Sequence, residues 1–224
     1  MARPGPAQPV PHDATGDDGV RPRLAGLAVS CLGVQAIQQD RPLDARDLLD
    51  LATRIPARYG ATSAILWMRY ARAHAAVGDA ADSERYLDIA RTSLAAAAER
   101  PTWSYWIDET LIAAEEGRCW IDLRRPDRAR PRLSAMVARA DIGARDRVLY
   151  GAALAQAHLD DRQIDQACTQ LDDTVSHLPA VPSRRCLELV ASICNRLTSS
   201  RLTVDQQQTV TQAAVALRDR SARQ

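Results

Sequence analysis

A chain of 224 residues, 46% apolar and 25% charged, is long enough to bury a core without a disulfide or a structural metal. Its net charge of +1 gives no bulk field for nucleic acid or a membrane surface, and no apolar run approaches the roughly 18 residues of a membrane span. Aromatics make up 4%, Phe and Lys are absent, and Ala is abundant, a balance suited to close helix packing through small residues.

Residues 1–20 hold Pro4, Pro6, Pro9 and Pro11 and an Asp13/Asp17/Asp18 cluster with almost no apolar content, and are expected to form a disordered tail. The run Arg21 to Cys31 superficially resembles a basic region before a lipoprotein cleavage site. Its apolar core is only about seven residues and continues into a helical pattern, so the expected location is the cytoplasm. Cys31, Cys119, Cys168, Cys186 and Cys194 form no CxxC and read as reduced core thiols.

From Arg21 onward the apolar spacing is helical, with no alternating stretch that would make a strand. Breaks fall at Asp40 to Pro42, Pro56 to Gly60, Gly78-Asp79, Arg100 to Thr102, Arg125-Pro126, Asp141 to Gly143, Asp160-Asp161, Pro179 to Ser183 and Ser199 to Thr203. These marks predict an all-α protein of about ten helices, joined as consecutive antiparallel hairpins. Residues 21–182 would form four hairpins and 183–224 two capping helices, with Gln206, Gln207 and Gln208 on a polar face.

The hairpins repeat. Aligning their turns brings Gly33, Ala71, Gly117 and Ala155 to one position, and Ala45, Ser83, Ala129 and Ala167 to another twelve residues on. Leu49, Leu87, Leu133 and Leu171 follow four residues later, then Ala52, Ala90, Met136 and Thr174. Ala36, His74, Trp120 and His158 share a further position. Repeat steps are 38, 46 and 38 residues. The surplus in the middle step predicts overlong helices across 90–110 that project as an arm carrying Trp103, Tyr105 and Trp106, read either as core or as an interaction site. Pro131, five residues after Pro126, predicts a helix that starts late or bends.

Small residues at these places with a large residue between them are similar to the tetratricopeptide repeat, whose period is about 34 residues. The resemblance covers about 24–179 and implies a right-handed superhelix whose first helices line a concave groove. The segment from Trp103 through Gly117-Arg118-Cys119, Leu123 to Pro126 and Ala129, with Arg145 to Arg147 and Leu149-Tyr150, further resembles the C-terminal repeat region of helix-turn-helix transcriptional regulators of high-GC bacteria.

In that frame Val34, Ile37, Met68, Arg72, Ala114, Arg118, Ile121, Asp122, Gln156, Leu159 and Asp160 face the groove, with Arg69 nearby. The expected ligand site is Arg69, Arg72, Arg118, Asp122, Gln156 and Asp160. Its arginines would either grip a carboxylate or backbone carbonyls of a bound segment, or pair with Glu115, Asp122 and Asp160 as a solvated network.

No catalytic constellation is evident. HExxH, Walker-type, GxSxG and Cys/His metal patterns are missing, so no cofactor or metal is expected. His74 and His158 read as packed core histidines, and the Asp108-Glu109 and Glu115-Glu116 pairs as solvated charge. The stretch Leu32 to Ile37 looks slightly like a helix-turn-helix turn, but only Arg41 follows it, so direct nucleic-acid binding is not expected. The expected role is a non-enzymatic regulatory module that binds a peptide or protein segment and self-associates as a homodimer. The alternatives are a small-molecule or signal-peptide sensor, and an accessory scaffold or enzyme of a biosynthetic cluster.

Overall fold

The computed structural model describes residues 17–54, 61–96 and 104–222. Ten α-helices run through them: α1 Asp17–Gln38, α2 Pro42–Arg54, α3 Ala61–Ala76, α4 Ala80–Ala95, α5 Glu109–Asp122, α6 Pro126–Val137, α7 Ala144–Asp160, α8 Ile164–Ser176, α9 Arg184–Thr198 and α10 Val204–Ser221. There is no strand among the described residues, and no helix is long and apolar enough to cross a membrane. Helix α1 begins four residues inside the segment expected as tail; residues 1–16 lie outside the described residues.

Four hairpins turn in the same way. Asp40, Gly78, Arg124 and Arg162 each adopt positive φ, between 58° and 87°, at the steps of 38, 46 and 38 residues that the side chains follow. The next residue's amide then donates back to the first helix: Arg41 to Ala36, Asp79 to His74, Arg125 to Trp120 and Gln163 to His158, at 2.7–2.9 Å. This closure satisfies a carbonyl that the helix end would otherwise leave bare. Pro42 and Pro126 then open the second helix where a missing amide costs nothing.

The repeated small residues lie where the two helices of a hairpin touch. A Cβ on Gly33 would stand 2.8 Å from Leu49 Cγ, and one on Gly117 2.9 Å from Leu133 Cγ and 3.2 Å from the Ala129 carbonyl. Ala71, Ala155, Ala45, Ala129 and Ala167 are completely buried, as are Leu49, Leu133 and Leu171. Hairpins then stack in chain order: α1 packs on α3, α3 on α5, α5 on α7 and α7 on α9, and each second helix also meets the next first helix.

Two local expectations change. Among the described residues neither helix is overlong, since α4 ends at Ala95 and α5 begins at Glu109; residues 97–103, where the rest of the expected arm falls, lie outside the described residues. Asp108 fixes the start of α5: its carboxylate accepts from the Leu111 amide at 2.8 Å and caps the helix there. Helix α6 begins at Pro126, not late, and carries Pro131 within it. Helices α9 and α10 follow, and α10 opens on a capping box in which Thr203 and Gln206 satisfy each other's amides.

Candidate functional site: an arginine-lined cavity on the first helices

A cavity of about 300 Å³ opens on the face made by the first helices. All five first helices reach it: Val34 from α1; Ile65, Met68, Arg69 and Arg72 from α3; Leu111, Glu115 and Arg118 from α5; Arg145, Asp146, Leu149 and Tyr150 from α7; and Arg185 from α9. Trp106 closes one side from the connection before α5. Ile65, Leu111 and Leu149 are six residues before Ala71, Gly117 and Ala155, so one repeat position supplies three parts of the apolar wall.

The arginines are not equivalent. Arg72 Nε donates to Asp122 Oδ2 at 3.1 Å, while its buried Nη1 meets no protein acceptor among the described residues. Burial opposes charge on this guanidinium, but Asp122 and Glu115 outweigh it and hold it above its ordinary range. Arg118, 6% exposed, donates to Glu115 Oε1 at 2.9 Å, and the same oxygen accepts from Tyr150 Oη at 2.8 Å. Burial and the neighbouring Glu115 charge keep the Tyr150 phenol well above its ordinary range, so it stays a proton-bearing donor. Arg145, at the exposed rim, pairs with Asp146 at 3.3 Å.

Arg69 and Arg185 have no carboxylate partner among the described residues. Arg69 Nη1 rests on neutral acceptors of α1: Ser30 Oγ at 2.5 Å, Cys31 Sγ at 3.2 Å and the Leu27 carbonyl at 3.4 Å. Arg185 faces Gln38, whose amide oxygen, turned toward it, accepts from Nε at 3.0 Å. Burial, then the nearby Arg72 charge, draws Arg185 below the usual guanidinium range, with Glu115 opposing.

Of the six expected ligand residues, Arg69, Arg72 and Arg118 therefore come together on one cavity. Asp122 stands behind it as the partner of Arg72. Gln156 does not line it, and Asp160 pairs instead with Arg196 at 2.5 Å. The contributing residues of α7 lie nearer its N-terminus than the expected ones, and Tyr150 there reaches Glu115 of α5. Glu115, Asp146, Tyr150, Arg145 and Arg185 were not singled out as ligand residues by sequence. For Arg185 no signal existed, since α9 follows the region where the repeat pattern is readable.

The reading of paired acids as solvated charge is corrected for Asp108, Glu115 and Glu116, while Glu109 is exposed. Glu115 lies on the cavity, and Glu116, 8% exposed, binds Arg91 at 2.6 Å, Arg132 at 3.2 Å and Trp120 Nε1 at 3.3 Å. Asp108 is the α5 cap and also pairs with Arg139. In the aromatic cluster, Tyr105 is 83% exposed, Trp106 is 45% exposed at the cavity, and Trp103 lies outside the described residues.

The histidines serve the turns. His74 Nδ1 is 3.2 Å from Asp79 Oδ2, and at the equivalent place His158 Nδ1 is 2.8 Å from Gln163 Oε1. Asp79 caps α4, and its bond to the Asp82 amide, with His74 adding, holds its carboxyl below the usual range. His74, Asp79 and Asp82 form the one group among the described residues whose ligand atoms are close enough to share a metal ion. The contact recurs at His158–Gln163, where an amide takes the place of the Asp79 carboxylate, which assigns it to locking the turn. The cavity lining contains no histidine, cysteine or serine; its polar groups are the guanidinium donors, the Glu115 and Asp146 carboxylates and the Tyr150 phenol.

Comparison with protein-family models, curated proteins and solved structures finds no match to the chain.

Proposed function

We propose that the protein is a non-enzymatic helical-repeat module of the tetratricopeptide type, acting in regulation from the cytoplasm. It binds a peptide or protein segment on the face made by its first helices, with the arginine cavity as the anchor. One observation carries this reading: all five first helices, and none of the second helices, contribute to the cavity. The recurrent small residues and the positive-φ turns that follow them at the same 38-, 46- and 38-residue steps support the repeat assignment.

The cavity's small volume also favours the second reading, a sensor for a small ligand, since about 300 Å³ is at the lower end of small-molecule sites. In both readings binding across α3, α5, α7 and α9 ties successive hairpins together and biases their relative packing. Self-association remains part of the proposal, with the exposed Tyr105 beside Trp106 as the surface to probe.

Random peptides selected by display against the wild-type protein test the proposal. Enriched peptides are expected to lose binding to an Arg69→Gln/Arg185→Gln variant whose circular dichroism and melting temperature match wild type. Peptides that bind the variant equally well would contradict it.

A further inference from the structure

We infer that the cavity takes an oxyanion carried on a short apolar body. This rests on the reading of the first-helix cavity as a binding site and goes beyond it by naming the chemistry of the occupant.

The charges decide the polar half. Arg72, Arg118 and Arg145 each have a carboxylate, whereas Arg69 and Arg185 have only neutral acceptors among the described residues. Arg185 stands in the field of Arg72 and Arg145. Two guanidinium groups thus have no carboxylate of their own among the described residues, in a partly desolvated space where like charges repel more strongly than in water and the shared Glu115 charge already serves Arg118. Arg72 adds an N–H with no acceptor. An anion answers all three features together. An alcohol or amide would supply an acceptor but leave the charges, and a cation would be repelled. Guanidinium groups are planar forks that match the paired oxygens of a carboxylate or phosphate.

The walls decide the other half. Val34, Ile65, Met68, Leu111, Leu149 and Trp106 surround the arginines, so an inorganic anion alone would leave that apolar surface in contact with water. The volume limits the apolar part to a short chain or a single ring system. Two sources carry this chemistry: a free amphiphile, or an acidic side chain flanked by apolar residues in a peptide.

Titration calorimetry separates them, using decanoate, decyl phosphate, decanol, decyltrimethylammonium and the peptide acetyl-Leu-Asp-Trp-amide. Saturable one-to-one binding is expected for decanoate or decyl phosphate, or for the peptide, weakened at least tenfold in Arg69→Gln/Arg185→Gln and by raised salt. Arg184→Gln, at the exposed neighbouring position, retains wild-type binding. Where the double variant melts more than a few degrees below wild type, Arg185→Gln alone provides the comparison. A peptide tighter than either amphiphile assigns the source to a polypeptide, and the reverse assigns it to a small molecule. Decanol binding as tightly as decanoate, undiminished binding by the arginine variants, or no binding of any anionic probe would overturn the inference. Display-selected peptides that lack acidic residues yet still need Arg69 and Arg185 would sink the oxyanion while leaving the binding face in place.

Discussion

Arg72 Nε bonds Asp122 Oδ2 at 3.1 Å between α3 and α5, and Arg185, from α9, shares the same cavity without a carboxylate. The two arginines thus have opposite stability signs. Arg72→Met strands the largely buried Asp122 carboxylate and should cost about 1–3 kcal/mol. Arg185→Met keeps the apolar stem and removes a charge beside Arg72 and Arg145, so the stability should change by less than about 0.5 kcal/mol or rise, as at binding residues that trade stability for function. Urea midpoints of the two variants check this; equal losses would show Arg185 to be structural.

Gly33 and Gly117 share a repeat position but differ in what surrounds them. Every close contact of a Cβ at Gly33 is with the Leu49 side chain, which can rotate, whereas at Gly117 it also meets the Ala129 carbonyl and Arg132 Cβ. Overpacking costs about 1–3 kcal/mol against roughly 1 kcal/mol of helix propensity regained. Gly117→Ala should therefore destabilise clearly and Gly33→Ala much less, measured by thermal unfolding. The reverse order would contradict the hairpin contact described.

The turns give a related pair. Gly78 has φ of 87°, and Arg162 holds a similar conformation at φ of 58° with a side chain. Gly78→Ala should lose about 1 kcal/mol, and Arg162→Gly should be neutral or gain slightly, because relief of the left-handed strain offsets the extra freedom of the unfolded chain. Denaturant unfolding of both variants tests whether the four turns share one geometry.

Alkaline pH should weaken the fold through buried acids. Burial pushes the Cys194 thiol up to about 11 from an ordinary value near 9, and moves Cys119, Cys168 and Tyr150 in the same direction. Between those pH values the folded chain keeps protons that the unfolded chain has released. The stability contribution is full below about pH 9 and is lost as pH rises through about 11. Urea unfolding at pH 8 and pH 10.5 should show the drop, and Cys194→Ala should reduce it in part, the rest coming from Cys119, Cys168 and Tyr150. Equal stability at both pH values would contradict the burial of these groups.

Much of the fold was readable from residue type because backbone contact between helices admits only Gly, Ala or Ser, and those residues recur in step. The repeat position of Arg72 and Arg118 likewise predicted that both face one groove. What misled was the pair Trp106 and Ile107, whose spacing continues the α5 pattern backward although both precede the helix. Periodicity alone does not distinguish a longer helix from a connection whose apolar side chains pack under it, and only Asp108, a residue type that caps helices, marked the boundary. Arg185 and the α7 lining required the stack itself, since they reach the cavity from helices more than sixty residues from Arg72 in the sequence.

The central claim, an oxyanion held by first-helix arginines, is tested most directly by NMR of protein carrying ¹⁵N-labelled arginine during titration with decanoate. The Nε–H signals of Arg69, Arg72 and Arg185 should shift together and saturate at one equivalent, with those of the outlying Arg91 and Arg184 unchanged. Shifts confined to surface arginines, or spread evenly over all of them without saturation, would contradict it.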